Sequence, residues 1–462
     1  MTSSDLPDRL LALVNALINI VVRAKRDADA VRAMLAKFYG SWRVSVSTLK
    51  GARGPRALEA LEEAIRYDAY NIVLLGREDA SLVEHESEFF PRAVLHVVPR
   101  SKVRNARILN LAKEFERARA RYRTVVRWLD SGYLMGPGRG LRLVEDSNPA
   151  HDNFLVLGEE GHRALEVHLG PLGETPLLVR KFGGEHDVYS GPRKIGVLKI
   201  PDVGKVEGNR LEPVKPVDVR VEDVVRLNED ILRFHEKVSL NLLRGLKDDF
   251  DAFIVPWSGG KDSTVALVLA LKALGARRLC AVYVDTGLDF PESAEYVKSV
   301  AKSLGVRLEV ARAPVDAELR ARGLPTHDNR WCTKLKIAAL YAKVRELAPE
   351  GRVVVVVGDR DAESELRSRR PPVRGHEGIT QVAPLKMWSA SLVQLYLLRE
   401  GIPFNPLYDM GFYRIGCYIC PALRSWEVEL IERARAAGRW AGLPHLDEFL
   451  ELRKRYKEGG PQ

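Results

Sequence analysis

The chain has 462 residues, 46% of them hydrophobic and 29% charged, with a formal net charge of +10 at pH 7. That balance excludes a disordered chain, and the length predicts two or three domains rather than one core. No apolar run approaches the ~20 residues that span a bilayer, and four cysteines over this length exclude a disulfide scaffold. The chain reads as cytoplasmic, with no membrane partner. Its excess of base favours a polyanionic partner. Only three Gln stand against many Arg, Glu and Pro, a bias of thermophilic proteins.

Residues 1–130 read as a small α/β module. The apolar stretch Leu10 to Val22 follows Asp5, Asp8 and Arg9 and has no cleavage site after it, so it reads as a core helix over about 7–38 rather than a signal peptide. Extended runs follow at Arg43–Val46, Asn71–Leu75 and Ala93–Val98, with a helix near 55–66 and a long charged helix ending near 128. Arg117, Arg119, Arg121, Arg123 and Arg127 on that last helix read either as a solvated face or as a nucleic-acid contact. No catalytic cluster stands out in this module.

Residues 131–218 change character. Gly136-Pro137-Gly138, Gly173, Gly183-Gly184 and Gly191-Pro192 punctuate short runs such as Phe154–Leu157 and Ile195–Ile200, which predicts a β-rich module. Two readings stand side by side: a small RNA-binding barrel of the PUA type, and a structural spacer. Pro213 to Pro216 reads as a linker.

In residues 219–425 a helix at about 221–246 leads into apolar, β-branched runs at 252–256, 279–284, 307–312 and 352–357, with helices between them. Continuous apolar strands alternating with helices predict a doubly wound parallel sheet covered on both faces. Residues 426–462 read as C-terminal helices. Ligands of such sheets sit at the carboxyl ends of the strands. Ser258-Gly259-Gly260-Lys261-Asp262-Ser263, Asp285 and Gly358-Asp359-Arg360 all fall at such ends.

The first of these segments follows Phe253-Ile254-Val255 and precedes the apolar helix Thr264–Leu271. It places bare backbone N–H groups at a helix N-terminus, where dipole and donors attract phosphate. It is not a Walker A loop, because Val255 stands where the first Gly belongs and Asp262 where Ser or Thr belongs.

This loop resembles the PP-loop of the ATP pyrophosphatases, the adenine nucleotide alpha hydrolase-like superfamily. Asp285-Thr286-Gly287 with Phe290-Pro291-Glu292-Ser293 resembles a segment of its phosphoadenosine-phosphosulfate (PAPS) reductase branch. So do Gly358-Asp359-Arg360 with Glu363-Ser364 and Arg367, and Pro384-Leu385 with Trp388. Ile402-Pro403, Asn405–Tyr408, Gly411 and Ile415-Gly416-Cys417 resemble the stretch closing that domain. The five segments run in the family's order over about 220–425.

The resemblance implies an enzyme that binds ATP or a PAPS-type adenylyl nucleotide. Gly259 and Gly260, with Ser258, Lys261 and Ser263, would cradle its phosphates, and catalysis would be positioning and charge neutralisation. Lys261, Asp262 and Arg360 are the expected catalytic residues. Asp262 and Asp285 would hold Mg²⁺, or Asp262 would instead cap the helix. Thr286, Gly287, Gly358 and Ser364 complete the expected nucleotide site. Arg360 and Arg367 would bind phosphates or a sulfonate, with Glu363 orienting Arg367 at i and i+4. Arg369, Arg370 and Arg374 extend that basic run.

The cysteines divide the readings. Cys280 lies in an apolar strand and reads as core. Cys417 and Cys420 form a C-x-x-C pair, and Cys332 lies upstream beside Trp331. These three would hold a [4Fe–4S] cluster with one open iron, or zinc with His327 as fourth ligand, or stand as free thiols. The iron–sulfur branch of adenylylsulfate reductases carries an adjacent Cys-Cys pair, of which Cys332 supplies one member. The branch also uses a later cysteine, and none follows Cys420 here. The three-cysteine count is similar to that of tRNA thiolation enzymes, another PP-loop group. The first expectation is therefore adenylylation coupled to sulfur transfer, with RNA as an acceptor and a protein as sulfur donor. Its alternatives are PAPS or adenylylsulfate reduction with an external thiol, and a non-catalytic nucleotide- or RNA-binding protein.

Overall fold

The computed structural model describes residues 16–144, 147–211, 215–349, 351–376 and 378–457. Among them no helix is long and apolar enough to cross a membrane.

The first sheet pairs β1 (Ile18–Val22), β2 (Val44–Thr48), β3 (Tyr70–Leu75) and β4 (Ala93–Val97) in the order β2-β1-β3-β4, all parallel. Here the sequence expectation fails. Residues 1–15 lie outside the described residues, but Ile18-Asn19-Ile20-Val21-Val22 is a buried strand, and the helix begins only at Lys25 and ends at Phe38. A short apolar β-branched run fits a buried strand as well as a buried helix, and neighbours on both sides settle it. The helices Pro55–Ala64 and Ile108–Thr124 fall close to where periodicity puts them.

A ribbon of β5 (Arg127–Leu129), β6 (Gly132–Leu134) and β7 (Leu141–Arg142) leads to an antiparallel sheet. Its strands are β8 (Asp152–Leu155), β9 (Leu177–Arg180), β10 (Glu185–Ser190), β11 (Arg193–Lys199) and β12 (Glu207–Arg210), in the order β12-β11-β10-β9-β8. The β-rich expectation holds. Among the described residues β8 and β12 stand at the edges of this sheet. The expected linker at Pro213–Pro216 falls partly outside the described residues.

The third sheet has β13 (Ala252–Pro256), β14 (Leu279–Asp285), β15 (Arg307–Arg312), β16 (Val353–Val356), β17 (Val373–His376) and β18 (Ile379–Val382), in the order β15-β14-β13-β16-β18-β17. All pairs are parallel except β17 with β18. The helix Lys261–Leu274, apolar on nearly every side, packs against this sheet. The expected helix at 221–246 is two, Val221–Leu227 and Glu229–Arg244. They divide at Asn228, whose amide donates to the carbonyl of Tyr133 while its oxygen accepts from Met135 N–H.

One hydrophobic cluster runs from Leu17 and Tyr70 through Phe115 to Leu242, Val265 and Trp388. The modules thus share a core. That explains much of the arginine-rich helix Ile108–Thr124: Arg117 stays exposed, but Arg119, Arg121 and Arg123 turn inward. Arg119 and Arg123 are 0% and 2% exposed, and Arg119 pairs with Asp361 of the third module at 3.0 Å. Arg123 donates to the carbonyl of Pro149, and Arg121 pairs with Glu86 at 2.7 Å.

Candidate functional site

β14, β13 and β16 are neighbours, so their parallel carboxyl ends bring the glycine-rich loop, Asp285 and Gly358-Asp359-Arg360 to one edge. Gly259 adopts φ +74°, a left-handed conformation that closes the turn into the helix. Gly358 permits a close approach: a Cβ there would sit 2.9 Å from the Asp262 carbonyl carbon and oxygen.

A cleft of about 700 Å³ opens over this edge. Of the expected nucleotide ligands, Ser258, Gly260, Lys261, Asp262, Ser263, Gly358, Arg360, Glu363, Ser364 and Arg367 line it. The hydroxyls of Ser258 and Ser263 stand 3.3 Å apart at its floor. Gly259, Asp285, Thr286 and Gly287 are not among the lining residues. Asp285 accepts from the N–H of Gly287 at 2.8 Å, and Thr286 is buried beside Asp289 and Cys417.

The charged trio has a different geometry from the one expected. The Lys261 ammonium is buried, donating to Asp262 at 3.1 Å and to the carbonyl of Tyr413 at 3.0 Å. Arg360 is 1% exposed and donates through Nε to Asp262 and through Nη1 to Asp152 at 2.8 Å. Both carboxylate oxygens of Asp262 therefore face cations. Burial alone would raise its pKa, but the Arg360 guanidinium and the Lys261 ammonium hold it far below the usual carboxylate range. Both Asp262 oxygens are thus paired within the protein, and the N-cap position is Gly260, which carries no side-chain bond, rather than Asp262. Arg360 and Lys261 thus clamp Asp262 between two cations at the edge of the cleft.

Glu363 pairs with Arg367 four positions on, but across the extended Ser364 rather than within one helix, and Asp359 lies 3.5 Å from Arg367. Asp359 also draws in Arg370 at 3.7 Å and Arg374 at 2.7 Å, whereas Arg369 pairs outward with Glu365. The basic run is therefore partly neutralised from within.

A second pocket, of about 350 Å³, adjoins the cleft. Cys332, Cys417 and Cys420 all line it, with Lys336, Arg330 and Arg414. Lys336 donates to the Cys417 sulfur at 2.8 Å, and the Thr286 hydroxyl lies 3.3 Å from it. Burial pushes the Cys417 thiol up to about 12, outweighing the pull of the Lys336 ammonium. Burial also raises the Cys332 thiol. Among the described residues no group of three or more His, Cys, Asp or Glu stands close enough together to hold a metal ion. The three thiols share a pocket without meeting at a point. His327 lines the cleft instead. Cys280 is buried in β14, as expected.

Sequence reasoning missed Asp152, Arg180, Tyr413, Arg414, Arg424 and Lys336. Arg414 and Arg424 flank the C-x-x-C loop and Lys336 lies four positions after Cys332, signals that were readable. Asp152 and Arg180 sit in the β-rich module and carried none.

The fold and the glycine-rich loop define a PP-loop protein of the adenine nucleotide alpha hydrolase-like class. The phosphoadenosine phosphosulfate reductase domain matches residues 252–423. An adenosine 5'-phosphosulfate reductase of Streptomyces coelicolor is 32% identical over 215 residues, covering 45% of this chain and 85% of that protein. The chain belongs to the phosphoadenosine phosphosulfate reductase family. An uncharacterised protein of Methanocaldococcus jannaschii is 34% identical over 215 residues, 46% of this chain and 45% of that protein. The chain spans about half the length of the archaeal relatives it matches. The crystal structure of a phosphoadenylyl-sulfate reductase from Candida auris in a phosphate complex has 19% sequence identity and a TM-score of 0.33, covering 42% of this chain and 96% of that one.

Proposed function

We propose that the protein is an enzyme of sulfur metabolism that binds an adenylyl nucleotide in the cleft and exchanges sulfur with the thiol pocket beside it. The observation that carries this reading is a shared wall: Ser258, Arg330, Arg414 and Pro421 line both spaces. An anion seated on the glycine-rich loop would present its distal group toward Cys417 and Cys420. Ser258, Ser263, the loop N–H groups and Arg367 are the donors for its oxygens, while Asp262, Arg360 and Lys261 hold that loop rigid. Such a site works by placing and neutralising charge, with no side-chain nucleophile on phosphorus.

Adenylyl sulfate or PAPS, reduced by an external dithiol to sulfite and the adenosine phosphate, is the form that the named relatives favour. The dithiol supplies the two electrons and leaves as a disulfide. A second reading, adenylylation of an acceptor by ATP followed by sulfur transfer, is favoured by Arg180 and Arg424. They extend the basic lining of the cleft into other parts of the chain, which suits a second polyanion such as tRNA. The four free thiols suit a reducing cytoplasm.

Calorimetry with ATP, adenylyl sulfate and PAPS tests the nucleotide site. Turnover then separates the forms: sulfite with AMP from adenylyl sulfate and a dithiol supports reduction, whereas AMP with pyrophosphate from ATP, sulfide and RNA supports adenylylation. Failure to bind all three nucleotides overturns the reading.

A further inference from the structure

Asp152, at the start of β8, is completely buried and every polar contact it makes is ordered. Its Oδ1 accepts from the N–H groups of Asn153 and Ala390, each at 3.0 Å. Its Oδ2 accepts from Arg360 Nη1 at 2.8 Å and from the Tyr413 hydroxyl at 3.0 Å. Arg360 and Tyr413 both line the cleft, so this carboxylate stands directly behind its wall. Burial would raise the pKa of Asp152, but the Arg360 and Arg180 guanidinia keep it ionised and below its ordinary value.

The next residue is gripped from another side. Asp361 pairs with Arg119 of the first module at 3.0 Å and with Lys386 at 2.6 Å, all three side chains being buried. Arg360 and Asp361 are thus each anchored by a residue outside the 252–423 region that defines the family. The β-rich module also docks tightly below. A Cβ on Gly158 would fall 2.1 Å from the Cα of Asp409, next to the cleft residue Tyr408.

A buried ion pair is an expensive way to join two modules, because apolar residues of the same shape hold a joint as well or better. What a carboxylate does here and an apolar residue does not is fix a guanidinium in one orientation. Arg360 in turn fixes Asp262 in the first turn of the glycine-rich loop's helix. We propose that Asp152 is a positioning residue of the nucleotide site, acting through Arg360 on Asp262, so that the β-rich module completes a site the family domain does not finish alone. This inference rests on the nucleotide reading of the cleft.

Full-length wild type, Asp152→Asn and Tyr413→Phe would be compared by calorimetry with ATP and adenylyl sulfate, and by hydrogen exchange without nucleotide. Asp152→Asn is expected to weaken binding of the probes by about tenfold or more while one site per chain is retained. Exchange is expected to rise in 357–364 and not in the first sheet. Tyr413→Phe removes only one donor to Asp152, so it moves both readouts the same way by less, and it decides the matter should Asp152→Asn fail to fold. Unchanged affinity and unchanged exchange would overturn the proposal, as would exchange rising across the whole protein, the mark of a plain structural joint. Wild type that binds neither probe would sink the nucleotide reading; local exchange in 357–364 would then still judge the clamp.

Discussion

The cleft and the thiol pocket share a wall, Arg330 and Arg414 included, yet differ in what surrounds their reactive groups. The cleft is lined by Lys261, Arg360, Arg367, Arg414 and Arg424, with their countercharges set behind or beside them. The pocket presents Val282, Val284, Leu288, Ile337 and Ile419 around its three thiols. One surface gathers cations at the mouth of a helix N-terminus. In the other, desolvation keeps Cys417 a neutral thiol, with pKa pushed up to about 12 and one ammonium held against it. The difference is one of desolvation: the cleft's cations have countercharges close by, whereas burial keeps the Cys417 thiol neutral.

The largest effect should come from removing the countercharge of the cleft. Asp262→Ala leaves Lys261 and Arg360 buried with a lost partner, and breaking such a pair costs about 3–5 kcal/mol. Thermal melting should show that loss together with loss of nucleotide binding; unchanged melting would mean the clamp is not electrostatic. Gly358→Ala comes next. Its methyl group presses on the Asp262 carbonyl, and overpacking of this kind costs about 1–3 kcal/mol. Nucleotide affinity should fall while alkylation of Cys417 is unaltered, and a coupled change in both would erase the distinction between the two spaces.

The pocket is probed by Lys336→Met. Without the ammonium the Cys417 thiol rises further, so iodoacetamide labelling at pH 8 should slow several-fold, with ATP affinity unchanged. In wild type, labelling of Cys417 should climb with pH and reach no plateau below about pH 10, because only the thiolate reacts. An early plateau would contradict the effect of burial.

The smallest effect at neutral pH lies away from both spaces. His235 accepts or donates a 2.9 Å bond to the Tyr70 hydroxyl across the first and third modules, and burial pushes its pKa down to about 3 from 6.5. Between those values the unfolded chain takes up a proton that the folded chain refuses, so stability falls as pH drops from 6.5 towards 3 and is untouched above 7. His235→Gln should flatten that acid slope in urea titrations; an unchanged slope would assign the acid sensitivity to other groups.

Much of the third sheet was legible because its signals are local. The runs at 252–256, 279–284 and 352–357 are largely apolar and rich in β-branched residues, and the glycine-rich loop announces its own backbone geometry through Gly259. Ile18–Val22 was misread because five apolar residues carry no period that separates strand from helix. The arginines of the helix Ile108–Thr124 were misread because a charged residue in a sequence looks solvated until its partner is known, and the partner of Arg119 is Asp361.

By itself, then, the sequence determined the parallel sheet, the glycine-rich loop at its carboxyl edge and the family to which both belong. Hydrophobic periodicity and turn chemistry act over a few residues, and such features survive being read in one dimension. Only the tertiary structure decided that Arg360 and Lys261 both pair with Asp262, that the cysteines share one pocket with Lys336, and that Asp152 reaches Arg360 across 208 positions of chain. Buried charges must be paired, and which charge meets which is a property of the packed modules rather than of any segment.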